Sequence, residues 1–159
     1  MNDFILVLTL ITALGSGLVA GMLFVFSSAV MKALNRLPPA QGIAAMQSIN
    51  ITVINPWFMG AFFGTAAVCV LVVVLSVLRW NEAEAVYLLG GGLVYLIGTI
   101  LVTMAFNVPR NDALAAVEPS SPNGVRLWAS YVTSWTAWNH VRTVAAFVAA
   151  VLLTIALTD

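Results

Sequence analysis

Residues 57–78 read WFMGAFFGTAAVCVLVVVLSVL, a run in which no side chain carries a formal charge. An α-helix rises about 1.5 Å per residue and the hydrocarbon layer of a bilayer is about 30 Å thick, so a run of this length crosses it. Backbone amides in lipid must be hydrogen-bonded internally, and an isolated strand cannot do that. This stretch is therefore read as a transmembrane helix, and the rest of the chain is read around it.

Three more stretches repeat the pattern: Phe4 to Phe26, Ala85 to Phe106 and Asn139 to Leu157. The expected fold is an all-α membrane protein, a four-transmembrane-helix bundle forming one domain over residues 1–159. The first stretch is preceded by Asp3 and by no Lys or Arg, and it outruns the apolar core of a secretory signal. It is read as a mature helix. The turn between the second and third spans is short, Arg79 to Glu84. The other connections are long, Asn35 to Pro56 and Asn107 to about Trp138. In the first of these, Pro38-Pro39 ends a helix, and Ala40 to Thr52 is expected to be a short amphipathic helix. Asn55-Pro56 starts or kinks the next span, because the residue before proline is pushed out of helical geometry. In the second, Phe106-Asn107-Val108-Pro109 is expected to close the third helix, and Glu118 to Gly124 reads as a loop.

Composition supports this reading and removes several functions. Hydrophobic residues make up 62% of the chain and charged residues 8%, with mean hydropathy +1.03, a surface that water would not solvate. Six cationic residues balance six acidic ones, which argues against a nucleic-acid partner. One cysteine, Cys69, and one histidine, His140, argue against a metal site built within one chain, and haem could find only His140 and a methionine. No acidic residue falls within a span, which argues against a proton-coupled transporter. Lys32, Arg36, Arg110 and Arg126 flank the long connections whereas Arg79 alone flanks the short turn. The positive-inside bias then puts the long connections in the cytoplasm of a cell membrane.

Glycines suggest where helices approach. Gly17 and Gly21, and Gly60 and Gly64, are spaced four apart and are expected to let backbones pack closely, with Gly90-Gly91-Gly92 and Gly98 doing the same in the third span.

Polar side chains gather at the end bearing the long connections: Asn50, Asn55, Asn107, Arg110, Asn111, Asn139, His140 and Arg142. Arg142 stands at the edge of an uncharged run. Its neutralising partner must be Asp112 or Glu118 from the connection, or else asparagine oxygens, carbonyls, aromatic faces or an anionic ligand. The other reading is an arginine that snorkels to the headgroups. At about 100° per residue, Tyr131, Trp135, Trp138 and Arg142 share a stripe, with Trp128 and Asn139 at its edge. Such a stripe stacks a flat aromatic molecule or forms an interfacial belt. His140, two positions from Arg142, projects from nearly the opposite side. Asn107 is read as a cap closing the third helix and Asn111 as the cap of a short helix over Asp112 to Val117, or both as donors to a ligand oxygen.

These residues carry a resemblance. Gly21-Met22-Leu23-Phe24-Val25-Phe26-Ser27 with Val30-Met31, Met46-Gln47-Ser48-Ile49-Asn50, Asn55-Pro56, Phe106-Asn107-Val108-Pro109-Arg110-Asn111 and Trp135-Thr136-Ala137-Trp138-Asn139-His140-Val141-Arg142 resemble the anthrone-oxygenase-like family of small four-helix membrane proteins. The resemblance implies oxidation of a lipophilic aromatic, anthrone- or quinol-like, by molecular oxygen without an added cofactor. It implies His140 as base, Arg142 with Asn50, Asn107, Asn111 and Asn139 as donors to a developing oxyanion, and Trp135 and Trp138 as the aromatic platform. The expected partners are membrane lipids, such an aromatic molecule and oxygen, with a homo-oligomer allowed. The alternative is a non-enzymatic membrane protein that binds a lipid or quinone, or a subunit of a larger assembly.

Overall fold

The computed structural model describes residues 2–158. Its helices are α1 (Asp3–Leu34), α2 (Pro39–Thr52), α3 (Pro56–Leu78), α4 (Ala85–Ala115) and α5 (Pro122–Ala156), and all but α2 are long and apolar enough to cross a membrane. The four long helices form a ring in the order α1, α3, α4, α5, with α5 also packed against α1. The short helix α2 lies across one end. There Ile43 and Met46 pack with Met31, Leu34, Leu114, Trp128 and Tyr131. Gln47 fixes it in place by donating to the carbonyls of Leu114 and Val117 at 2.9 and 3.0 Å.

Local chemistry sets the helix starts. The side chain of Asn55 accepts from the amides of Trp57 and Phe58, both at 3.0 Å, so Asn55-Pro56 begins α3 rather than kinking it. Ser121 caps α5 by accepting from the Gly124 amide at 3.0 Å, with Pro122 in the first turn.

That cap corrects the expected boundaries. The last helix begins at Pro122 and not near Asn139, so the long connection shrinks to residues 116–121. The third helix does not close at Pro109. It passes through π-helical turns at Leu96–Leu101 and Thr103–Asn107 and runs on to Ala115. A proline ring inside an α-helix collides with the carbonyl four residues back, and the wider π turn before Pro109 accommodates it. Asn107 consequently caps nothing by its side chain, and Asn111 lies within the helix rather than at the start of a separate one. A further π turn, Phe26–Val30, carries α1 on to Leu34.

The glycine expectation is half reversed. A Cβ at Gly17, Gly21, Gly60 or Gly64 would meet no other atom within 4 Å, so these positions face outward. Close crossings use other glycines. A Cβ at Gly15 would collide with Thr65 and one at Gly98 with Ala145. One at Gly91 would lie 2.7 Å from Leu153 Cγ, and one at Gly92 3.2 Å from the Cys69 carbonyl oxygen. A spacing of four shows that two residues share a face, not which face. Gly92→Leu is expected to lose on the order of 1–3 kcal/mol, the cost of overpacking a filled crossing, whereas Gly17→Leu is tolerated. Folded yield and thermal unfolding in detergent check this, and equal behaviour of the two variants would contradict the assigned crossings.

Candidate functional site

The end covered by α2 holds the polar side chains, and the geometry there is organised around Arg142. Its side chain turns into the bundle, with 6% of the residue exposed. Nη2 donates to Asn139 Oδ1 at 2.6 Å and Nη1 to Thr103 Oγ1 at 3.1 Å. The guanidinium carbon lies 5.3 Å from the centre of the Trp135 ring, a cation–π contact. Among the described residues, no carboxylate comes within 4 Å of it, the ion pairs being those of Arg79 with Glu82 and Glu84 at the opposite end. Buried Nε has no hydrogen-bond partner. A snorkelling arginine would reach water or headgroups, and this one does not.

Asn139 is the residue that holds it. The amide is fully buried, and Nδ2 donates to the Leu23 carbonyl at 2.7 Å and to Ser27 Oγ at 2.6 Å. This leaves Oδ1 facing the guanidinium. Asn139 thus positions Arg142 from behind. It does not line the adjoining cavity. The π turns of α1 and α4 flank the pair, since Ser27 lies in the first and Thr103 in the last. Thr99 ties the same region to α5 through the Arg142 carbonyl at 3.4 Å.

Beside Arg142 lies a cavity of about 560 Å³ bounded by all four long helices and α2. Its walls are mostly apolar and aromatic, with Phe26, Phe58, Phe62, Phe63 and Trp135 among them. Phe26 and Trp135 meet at 5.9 Å with a 51° tilt, and Phe58 stacks on Phe62 at 6.0 Å. The polar lining is sparse: Gln47, Asn50, Thr103, Asn111, Asp112 and Arg142. Asn111 Oδ1 accepts from Trp135 Nε1 at 2.8 Å and from the Tyr131 hydroxyl at 2.9 Å. That fixes the amide and leaves its nitrogen as an unused donor. Asn50 Nδ2 is likewise buried without a hydrogen-bond partner. The Arg142 guanidinium and the Asn50 and Asn111 amide nitrogens thus present donors to an otherwise greasy chamber, which suits a flat lipophile bearing an anionic or carbonyl oxygen.

Not every residue singled out in the sequence reaches this chamber. Asn50, Asn111, Trp135 and Arg142 line it. Asn107 is fully buried and donates to the Trp135 carbonyl at 3.2 Å, a link between α4 and α5 behind the cavity wall. Trp138 turns away and stacks on Phe106 at 3.6 Å. His140, the expected base, does not line this cavity. It is exposed on the other side of α5, in a groove against α1, because two helical residues separate it from Arg142 by about 200°.

The sequence reading missed Phe58, Phe62 and Thr103, which lie in stretches read only as transmembrane spans. The signal was present for the phenylalanines. Four apart and just after Asn55-Pro56, they share a face at the polar end.

A family model described as "Anthrone oxygenase" matches residues 57–152. The chain belongs to the anthrone oxygenase family. No curated protein and no solved structure matches it. The matched segment of this anthrone oxygenase family member contains Thr103, Asn111, Asp112, Trp135, Asn139 and Arg142, whereas Asn50 and Ser27 lie before it.

Removing the Asn139 amide would leave Thr103 as the one hydrogen-bond acceptor of the buried guanidinium and take a donor from Ser27 Oγ and from the Leu23 carbonyl, which also accepts from the Phe26 amide. Asn139→Leu is expected to destabilise the fold by about 1–3 kcal/mol or more, the cost of unsatisfied buried polar groups, while Asn35→Leu on the exposed end of α1 changes little. Thermal unfolding of the purified variants measures the difference, and an unchanged Asn139→Leu would remove the positioning role.

Proposed function

We propose that this protein is a membrane oxygenase that converts a lipophilic anthrone-like or quinol-like aromatic into the corresponding quinone with molecular oxygen. The observation that carries the reading is Arg142: a buried cation with no carboxylate among the described residues within 4 Å, facing a cavity of aromatic walls and unused N–H donors. Its family membership points the same way.

The substrate's ring system lies against Trp135 and the phenylalanines, its carbonyl oxygen toward Arg142, Asn111 and Asn50. Asp112, the one carboxylate in the cavity lining, takes the acidic C–H proton opposite that carbonyl. Charge then develops on the carbonyl oxygen, where the donors stabilise it more strongly than in the neutral ground state. The anion is electron-rich and reduces oxygen itself. A C–O bond forms at the deprotonated carbon and the peroxide oxygen takes up a proton. Loss of the second C–H proton with cleavage of the O–O bond leaves a carbonyl and water. One anthrone-like substrate and one O₂ thus give one quinone and one H₂O, whereas a quinol, which only gives up two electrons and two protons, yields one quinone and one H₂O₂ per O₂.

Arg142→Lys keeps the charge but loses the planar fork of donors. Oxygen uptake by the purified protein with a panel of anthrones and quinols is expected to fall about 10²-fold or more in this variant, as when an oxyanion donor is removed. Asp112→Asn should depress turnover by about 10²-fold with ligand binding retained, the signature of a lost base. His140→Gln should keep turnover. Loss of activity in His140→Gln, with Asp112→Asn fully active, would return the base to the histidine. Tight binding without any oxygen uptake by the wild-type protein would favour a lipid- or quinone-binding role.

A further inference from the structure

The face of α5 opposite the cavity carries a second, unrelated feature. A groove of about 370 Å³ runs between the last turns of α1 and the middle of α5. Its polar lining is Ser27, Lys32, Asn35, Thr133, Thr136 and His140, and none of the described carboxylates lines it. We propose that this groove binds the phosphate of an anionic phospholipid in the leaflet at the α2-covered end.

Unused donors make the first argument. Every other side-chain hydroxyl of α5 has a partner: those of Ser130, Thr133, Ser134, Thr143 and Thr154 donate to backbone carbonyls, and that of Tyr131 to Asn111. Thr136 Oγ1 is buried and has none. Ser27 Oγ accepts from Asn139, which leaves its own proton free to donate. Two hydroxyl donors thus lie in the groove, with the Lys32 ammonium and the His140 imidazole at its exposed rim. A tetrahedral anion with several acceptor oxygens is what such a set complements.

Depth makes the second. From Asp3 to Ser27 α1 climbs about 36 Å, just past a hydrocarbon core of about 30 Å, so the groove lies at headgroup level. The apolar continuation matters too. Below His140, one and two turns on, Val144 and Phe147 are exposed, and Phe24 is exposed one turn below Ser27. A lane for an acyl chain therefore leads from the groove toward the bilayer centre. A soluble phosphate would have no use for that lane, and a phospholipid fills both parts.

Native mass spectrometry of the full chain in neutral detergent, titrated with phosphatidylglycerol and with phosphatidylcholine, tests this. Phosphatidylglycerol is expected to bind at least about five-fold more tightly, the contribution of one cationic side chain at a membrane surface. Lys32→Gln should abolish that preference and Lys32→Arg retain it. Thr136→Val, nearly isosteric and lacking the hydroxyl, should weaken both lipids, since both carry the phosphodiester that the hydroxyl would meet. Thermal unfolding in phosphatidylcholine shows that each variant is folded, and Thr136→Val carries the test should Lys32→Gln not fold. An undiminished preference in Lys32→Gln, or unchanged affinity for both lipids in Thr136→Val, would overturn the assignment. Full displacement of phosphatidylglycerol by millimolar inorganic phosphate would also overturn it, since the groove would then be a site for the free anion.

Discussion

A guanidinium buried at the edge of a hydrocarbon layer has to be solvated by the protein, and in this chain that requirement falls on Asn139. Among the described residues Arg142 has no carboxylate to pair with, and its charge is met by an amide oxygen, a threonine hydroxyl and an indole face. Each of these must in turn be held. Asn139 is held by the Leu23 carbonyl and Ser27, Thr103 by its bond to the Thr99 carbonyl, and Trp135 by Asn111. The network reaches α1, α4 and α5, which makes the arginine a junction of the bundle as well as the head of a cavity. Neutral partners leave the positive charge uncompensated, and that is what an incoming anionic oxygen would complete.

The register of α5 separates two surfaces. Residues 135, 139 and 142 fall on one side, where they build and support the cavity. Residues 133, 136 and 140 fall on the other, where they meet the end of α1. A straight helix cannot aim His140 and Arg142 into one chamber, and α5 is uninterrupted from Pro122 to Ala156. The distortions lie instead in its neighbours. The π turns in α1 and α4 re-aim Ser27 and Thr103 toward a rigid α5, in keeping with the association of π turns with functional sites.

Fold class was legible because the governing signal, long uncharged apolar runs, is local and redundant. Helix ends were less so. Pro109 reads as a terminator, and only the preceding π turn explains how the helix passes it. The start of α5 was hidden because Trp128 to Asn139 is polar enough to resemble a connection, although its hydrophobic face packs under α2. Within the site, Arg142 turns inward, one of the two readings open to it, and meets Asn139 and Thr103. Asn111 and Trp135 were named for the right end of the bundle. The rest depended on facts that spacing cannot hold. Trp138 left the stripe for Phe106, and Asn107 joined two helices behind the wall. Glycines four apart faced outward because the pattern repeats on lipid-exposed and buried faces alike.

The sparse polar lining fits the proposed chemistry better than it would fit most oxidations. When the substrate's own anion delivers electrons to oxygen, the protein need not store or relay them. It must hold a flat molecule, lower the energy of one developing oxyanion and accept a proton. Apolar walls serve the first task and also admit oxygen, which partitions into lipid-like surroundings. A desolvated guanidinium serves the second, since its attraction for an oxyanion grows as water is excluded. A carboxylate in the lining serves the third, and Asp112, exposed on its helix, can return the proton to solvent. These three demands together require few polar side chains, and a bundle of four apolar helices with one decorated end can supply them.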